Sequence, residues 1–596
     1  MSGSLLSLLS RSNARVCFTP RRTPLSARLL STLPNTRIFR AIQNHDPESL
    51  AIVHSVSSRS FTYGSLIADI VRAKDDLEQK AAKAQGQLAG ERVAFLAENS
   101  YDYVVTLLAI FASDAIALPL SPSFPTGELK YILDNSQAKV LLATEKYADK
   151  GMEILREGLE HEPLFSIRNK LTEGGASSGE SVTVHDLKQP SSGGMMLYTS
   201  GTTNRPKGVL IPQSALAAQA SSLLEAWKYT PDDRLLHLLP LHHIHGVVNA
   251  IVAPIVAGSS IEFMYPFNPD KVWKRLAAPF LTSNTSKPAI TFLTAVPTIY
   301  NRLMATFPKL TPELQKAARE GISPQNLRLN ISGSAALPTP TKTAWTNLSN
   351  GNVLLERFGM TEVGMAISCG LDPADRVDGS VGWPLPGVEA RLADMETGAV
   401  IKVEEKDPNG RERQGEIQLR GETIFDHYWG NEKATRESFV QSDDGGGAWF
   451  CTGDVATRRI VDGAGSGASG AWAQGPMYFI QGRRSVDIIK TGGEKVSALE
   501  VERELLSLPQ ITEAAVVGLP SEQWGQKIAA IVVLTPDAAT SGRNGQSWGP
   551  MDMRRALKDS LASFKIPQEM KVLEAIPRNA MGKVNKKALV KEIFGV

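Results

Sequence analysis

Short apolar runs alternating with stretches of helical period constrain this chain more than any other feature. Residues 93–97 read as a strand, 101–112 as a helix and 116–120 as a strand, and Leu129, Ile132 and Leu133 recur at helical spacing before a strand over 140–143. The same rhythm returns in candidate strands at 235–239, 261–264, 290–293, 327–331 and 353–355. Such βαβα alternation predicts an α/β fold with mostly parallel sheet covered by helices, in one large domain or two related lobes. From residue 385 onward shorter extended runs and turn clusters take over, including 415–419 and a Gly-rich stretch at 463–475, which predicts a small β-barrel-like part with a surface-loop expansion. After Arg484 the texture is α+β, with helices at 497–506 and 551–561, strands at 514–518 and 529–534, and a polar loop at 536–549. The expected division is a leader at 1–33, a large N-terminal domain at 34–482 and a small C-terminal domain at 483–596.

The chain has 596 residues, 42% hydrophobic and 21% charged, which excludes intrinsic disorder and a small stapled scaffold. Cys17, Cys369 and Cys451 are far apart and odd in number, so neither a disulfide framework nor a CxxC metal site is available, and a reducing compartment fits best. Wholly apolar runs such as 528–534 fall short of the roughly 20 residues of a membrane-spanning helix, so the chain reads as soluble.

Net charge is +2, but residues 1–45 hold seven Arg, seven Ser and no Asp, Glu or Lys. That acid-free pattern is that of a mitochondrial transit peptide and predicts a matrix protein, the alternative being a disordered basic tail. Cleavage after about residue 33 removes five Arg and leaves 59 basic against 62 acidic residues, a balance of −3. A body of that charge gives no ground for nucleic acid or anionic lipid as partner. The C-terminal residues are no peroxisomal Ser-Lys-Leu signal.

The strongest local signal is MMLYTSGTTNRPKG at 195–208. A buried strand runs into Thr199, Ser200, Gly201, Thr202, Thr203 and Asn204, then into Arg205, Pro206 and Lys207. Small side chains let backbone N–H groups converge on an anion, hydroxyls add donors and Lys207 adds a charge, so the segment can hold a polyphosphate. It is not a Walker loop, because the positions five, six and seven after Gly201 are Pro206, Lys207 and Gly208.

Six further segments follow in order: LPLHHIHG (239–246), ISGSAALP (331–338), ERFGMTEVG (356–364), FCTGD (450–454), GRRSVDIIKTGGEKV (482–496) and PRNAMGKVNK (577–586). With YTSGTTNRPKG, they make the chain resemble the adenylate-forming superfamily of acyl-CoA synthetases, luciferases and peptide-synthetase adenylation domains, over about residues 40–590. Within it the chain is most similar to the mitochondrial malonyl-CoA synthetase branch. The resemblance implies a two-step reaction: a carboxylate attacks the α-phosphorus of ATP to give an acyl-adenylate and diphosphate, and CoA thiolate then displaces AMP. It also implies roles. Residues 199–203 and Lys207 hold the β- and γ-phosphates, Phe358 and Thr361 join the nucleotide site, Glu362 holds Mg²⁺, Asp454 and Arg483 grip the ribose, and Lys583 bridges the attacking carboxylate and the α-phosphate. Lys583, Lys586 and Lys587 also read as a solvated basic cluster. The small domain is expected to be mobile, with Gly492 and Gly493 lining a CoA tunnel in the second step and a hinge among residues 484–487.

Malonate is doubly charged, so its pocket must pair the distal carboxylate. Residues 291–304 read as a strand, Pro297 at a helix start, and a helix that puts Arg302 one turn beyond Thr298, where it can fork onto a carboxylate or simply face solvent. The resemblance places His243 at a gating position, with His245 beside it as a second donor, and makes Gly333 and Ser334 walls of the acid pocket. The run His242, His243, His245 lacks the usual zinc spacing. The leading expectation is an ATP- and Mg²⁺-dependent malonate–CoA ligase, with methylmalonate as a second acid. The alternatives are a CoA ligase for another short, medium-chain or aryl acid, a ligase loading a carrier protein, and an inactive nucleotide-binding regulator.

Overall fold

Parallel strands need a crossover of a dozen or more residues, and the alternation of apolar runs with helices supplies it. The computed structural model describes residues 32–84, 86–172, 182–187, 189–199, 205–281, 287–403, 405–408, 410–442, 444–578 and 584–595. One sheet has seven strands in the order His427–Tyr428, Lys207–Pro212, Gly194–Thr199, Ile116–Pro119, Arg92–Leu96, Val140–Thr144 and Leu164–Arg168. It is parallel from Gly194–Thr199 to Leu164–Arg168 and antiparallel at the other edge. A second sheet of nine strands runs Trp383–Pro384, Gly364–Ser368, Leu355–Met360, Leu329–Ser332, Phe292–Ala295, Arg234–His237, Ser260–Phe263, Leu50–His54 and Ser60–Thr62. Its middle is parallel, from Leu355–Met360 to Leu50–His54.

The two sheets share one core. Val93 and Phe95 of the first and Leu235 and Ile261 of the second belong to the same buried cluster, together with residues of the helices Tyr63–Ala84, Tyr101–Ala112 and Gln213–Trp227. All twelve residues of Tyr101–Ala112 are buried, in keeping with a predominantly apolar helix; its two polar residues, Asp102 and Thr106, are buried with the rest.

The β-rich part is an antiparallel six-stranded sheet ordered Val400–Ile401, Val388–Ala393, Gly415–Gly421, Trp449–Arg459 and Phe439–Val440, with Met477–Arg483 also paired to Trp449–Arg459. The C-terminal part has its own five-stranded sheet and its own cores. Its helix Ala498–Leu506 starts where Ser497 caps the N–H of Glu500, and buries Ala498, Val501 and Leu505 at three- and four-residue spacing.

The helix expected over 551–561 stops at Ala556. Leu557 and Leu561 stay in the core, the intervening Lys558, Asp559 and Ser560 are polar, and the chain continues as turns in which the Leu557 carbonyl accepts the N–H groups of Ser560 at 3.2 Å and Leu561 at 2.9 Å. The segment expected as a loop at 536–549 carries short 3₁₀ turns at Pro536–Ala539 and Arg543–Gly545 and is pinned by buried Ala538 and Trp548. Among the described residues, no helix is long and apolar enough to cross a membrane.

Candidate active site

One cleft of about 3530 Å³ receives residues from both sheets, from the β-rich part and from the C-terminal part. At the end of the cleft where phosphates are expected, the hairpin of Gly194–Thr199 and Lys207–Pro212 pairs Thr199 with Lys207, and both line the cleft. Ser200, Gly201, Thr202 and Thr203 between them lie outside the described residues. The exit of the turn is fixed by Tyr131, whose hydroxyl donates to the Pro206 carbonyl at 3.0 Å and whose ring lies 5.4 Å from the Arg205 guanidinium.

The Lys207 ammonium sits 4.7 Å from the ring centroid of Tyr428, and the Tyr428 hydroxyl donates to Glu362 Oε1 at 2.8 Å. Tyr428 reaches this place because its two-residue strand pairs with Val209 and Leu210 at the sheet edge. Glu362 sits in the tight turn between Leu355–Met360 and Gly364–Ser368, which Gly364 permits with φ +67 at a point where any side chain would run into Gln219. Phe358 and Thr361 flank it on the cleft wall. Burial pushes the Glu362 carboxyl up, although the Tyr428 hydrogen bond and the charges of Arg483 and Lys207 favour its ionised form.

No group of three His, Cys, Asp or Glu side chains suited to a metal occurs among the described residues. A site made of one buried carboxylate with no salt bridge among the described residues suits Mg²⁺, which takes one or two protein carboxylates and fills its octahedron with phosphate oxygens and water.

Asp454 and Arg483, the residues expected at the ribose, are cross-strand partners, with Arg483 Nε 3.4 Å from Asp454 Oδ1. Thr452 Oγ1 accepts the N–H of Asp454 and so orients the strand there.

Near the residues expected to border the acid, the cleft holds a buried cation that the sequence analysis did not single out. Arg357, which lines the cleft from the strand Leu355–Met360, is 4% exposed, and its Nε and Nη2 are buried with no hydrogen-bond partner among the described residues. Burial pulls its pKa down to about 10, so it remains a cation at neutral pH. Gly333 is not the pocket wall expected: it is buried beneath Arg357, and a Cβ there would lie 2.6 Å from the guanidinium carbon. Ser334 does line the cleft, and its hydroxyl meets His245 Nδ1 at 3.2 Å. His245 Nε2 is 2.6 Å from Thr294 Oγ1, so both ring nitrogens are engaged within the protein and the ring offers no donor to an acid, contrary to expectation. Burial holds His245 neutral. His243 lines the cleft with its ring 4.1 Å from that of His242. Pro297 opens the helix Pro297–Thr306 as expected, and Arg302 is exposed at the cleft mouth with its guanidinium 4.9 Å from the Phe267 ring.

Lys583 lies outside the described residues, but residues on both sides, Arg578 and Val584 to Ala588, line the cleft. Gly492 and Gly493, at φ +57 and +86, form the turn between Ile488–Thr491 and Glu494–Ser497 and are not among the lining residues. That hairpin is held against the β-rich part by the pairs Arg411–Glu494 at 3.0 Å and Lys495–Glu396 at 3.3 Å. The candidate hinge residues 484–487 form one turn between two strands.

The AMP-binding enzyme family matches residues 39–429, and the AMP-binding enzyme C-terminal domain matches residues 500–583. A CoA ligase of Gibberella moniliformis is 54% identical over 588 residues, which cover 94% of this chain and 95% of that protein. A mitochondrial malonate–CoA ligase of Homo sapiens is 38% identical, with 89% of this chain and 88% of its own covered. The crystal structure of ATP-bound MatB from Rhodopseudomonas palustris is similar with a TM-score of 0.74 and 30% identity, covering 94% of this chain and 98% of that one. The chain therefore belongs to the AMP-binding enzymes, the adenylate-forming superfamily, as an AMP-forming acid–CoA ligase that uses ATP, Mg²⁺ and CoA.

Proposed function

We propose that the acid is malonate, and that the protein makes malonyl-CoA, AMP and diphosphate through malonyl-adenylate. One observation carries this reading: the buried Arg357 guanidinium, two of whose nitrogens have no partner among the described residues. A desolvated cation needs an anion, and a carboxylate can accept from two guanidinium nitrogens at once. A monocarboxylic acid spends its only carboxylate on the phosphorus and leaves Arg357 unpaired; malonate brings a second. Arg302 at the mouth adds a positive field that draws in a dianion. The human relative is named for malonate, whereas the more similar Gibberella protein is named only as a CoA ligase. A ligase for another short, medium-chain or aryl acid is the competing reading.

In the first step the proximal carboxylate is already ionised and needs no general base. Its oxygen bonds to the α-phosphorus as the bond to the β-phosphate bridging oxygen breaks, and diphosphate leaves. Thr199, Ser200, Gly201, Thr202, Thr203 and Lys207 hold the leaving phosphates, and Glu362 is the residue that would hold Mg²⁺, which supplies charge neutralisation on phosphate oxygens when bound. Phe358 and Thr361 flank the nucleotide, and Asp454 and Arg483 accept from and donate to the ribose hydroxyls. Lys583, from the segment between the cleft-lining residues Arg578 and Val584, brings the nucleophile and α-phosphate together. His243 and Ser334 border the acid.

In the second step the sulfur of CoA attacks the acyl carbonyl and AMP departs. The C-terminal domain, 483–596, turns on 484–487 relative to the domain 34–482 so that Gly492 and Gly493 face the tunnel. The location of these glycines away from the cleft, with Arg578 and Val584 on either side of Lys583 lining it, supports assigning the present arrangement to the first step. Residues 1–33 act as a transit peptide to the mitochondrial matrix. Diphosphate release over a panel of mono- and dicarboxylic acids, with and without CoA, tests the assignment.

A further inference from the structure

Lys586 has no part in the chemistry above, yet its side chain is only 11% exposed. It opens the helix Lys586–Phe594, which Asn585 caps, three residues beyond Lys583. The expected solvated basic cluster therefore does not include it. Its ammonium lies between two carboxylates, 2.5 Å from Asp487 Oδ1 and 2.6 Å from Glu502 Oε1. Burial opposes the charge on Lys586, and the two carboxylates more than offset that, so its pKa is raised.

Each carboxylate is committed to a different element. Asp487 Oδ2 accepts the N–H of Arg483 at 3.0 Å, and the Asp487 N–H donates to the Arg483 carbonyl at 2.8 Å, which closes the turn at 484–487. Glu502, on the helix Ala498–Leu506, accepts the N–H of Val516 through Oε1 at 2.8 Å. One ammonium thus ties the segment after Lys583 to the linker between domains and to the body of the C-terminal domain. The same Asp487 fixes the backbone of Arg483, whose side chain faces Asp454.

Without the ammonium, two half-desolvated anions would face each other, and the strain is relieved most easily where the chain is a turn rather than a strand or helix. We propose that Lys586 is a positioning residue: bridging Asp487 and Glu502, it holds the interdomain linker in the setting that keeps the residues directly after Lys583 at the cleft, and so favours adenylate formation. This rests on the two-step ligase reading.

The test uses the full chain and its two half-reactions, acid-dependent ATP–diphosphate exchange and CoA thioester formation from supplied acyl-adenylate. Lys586→Met is expected to lose on the order of 10- to 100-fold in exchange while keeping thioester formation within about twofold, with Lys586→Arg recovering most of the exchange. Equal losses in both half-reactions, or unchanged exchange, would overturn the proposal. Should Lys586→Met fail to fold, Glu502→Gln, which removes one of the two anions, must show the same split. Exchange by the wild type with a different acid in place of malonate would sink the malonate reading and leave this comparison to be made with that acid.

Discussion

Tyr428 donates to Glu362 at 2.8 Å while its ring supports the Lys207 ammonium at 4.7 Å, so one aromatic side chain fixes both the acid suited to Mg²⁺ and the cation suited to phosphate. Tyr428→Phe keeps the ring and loses the hydrogen bond. The Mg²⁺ concentration for half-maximal ATP–diphosphate exchange is expected to rise about tenfold, the worth of a hydrogen bond to a charged group, while the ATP requirement at saturating Mg²⁺ stays within about twofold. An unchanged Mg²⁺ titration would contradict this coupling.

Glu362→Gln tests the cost of keeping that carboxylate buried. The folded state raises its pKa, so the folded protein binds the proton more tightly than the unfolded chain and loses stability as pH rises above the ordinary glutamate value of 4.5. The variant, neutral at every pH, is expected to melt higher than wild type at pH 7 in the absence of nucleotide. The difference should shrink as pH falls toward 4.5, and activity should be abolished. Thermal melts at both pH values decide; a variant that melts lower at pH 7 would refute the sign.

Arg357→Met removes the unpaired cation. The ligand-free protein is expected to gain about 1 kcal/mol or more, because a buried charge without a partner opposes folding. Malonate kcat/KM is expected to fall at least about 100-fold, as when a buried charged hydrogen-bond pair loses one member. Arg302→Met, at an exposed position, should cost roughly tenfold and leave stability within about 0.5 kcal/mol. If the two variants behave alike, the burial of Arg357 is irrelevant to acid choice.

The helix Tyr101–Ala112 could be read to the residue, because a predominantly apolar segment of twelve residues, interrupted only by Asp102 and Thr106, is long enough for three buried turns. The parallel strands were legible within a few residues for the same reason. What local pattern cannot carry is partnership across the fold. Arg357 looks like any charged residue at a strand end until Gly333 is seen to make room for it. Tyr428 belongs to a strand of two residues whose existence depends on a sheet edge far away in sequence. Lys586 sits in a run of lysines that composition reads as solvated, yet it is buried between residues 99 and 84 positions earlier in the chain. Likewise His245 matched a family pattern, and only the positions of Thr294 and Ser334 show that its nitrogens are already committed.

Lys583→Ala is expected to lose adenylate formation by at least about 100-fold and to retain thioester formation from supplied malonyl-adenylate, since a positioned charge at the phosphorus serves only the first transition state. Comparable loss in both half-reactions would contradict the assignment.

The central claim is that a buried cation selects a second carboxylate on the acid. Diphosphate release measured side by side with malonate and with butyrate, each with ATP, Mg²⁺ and CoA, tests it most directly. Rapid release and CoA thioester formation are expected with malonate and little of either with butyrate; equal or faster turnover of butyrate would rule out selection by Arg357.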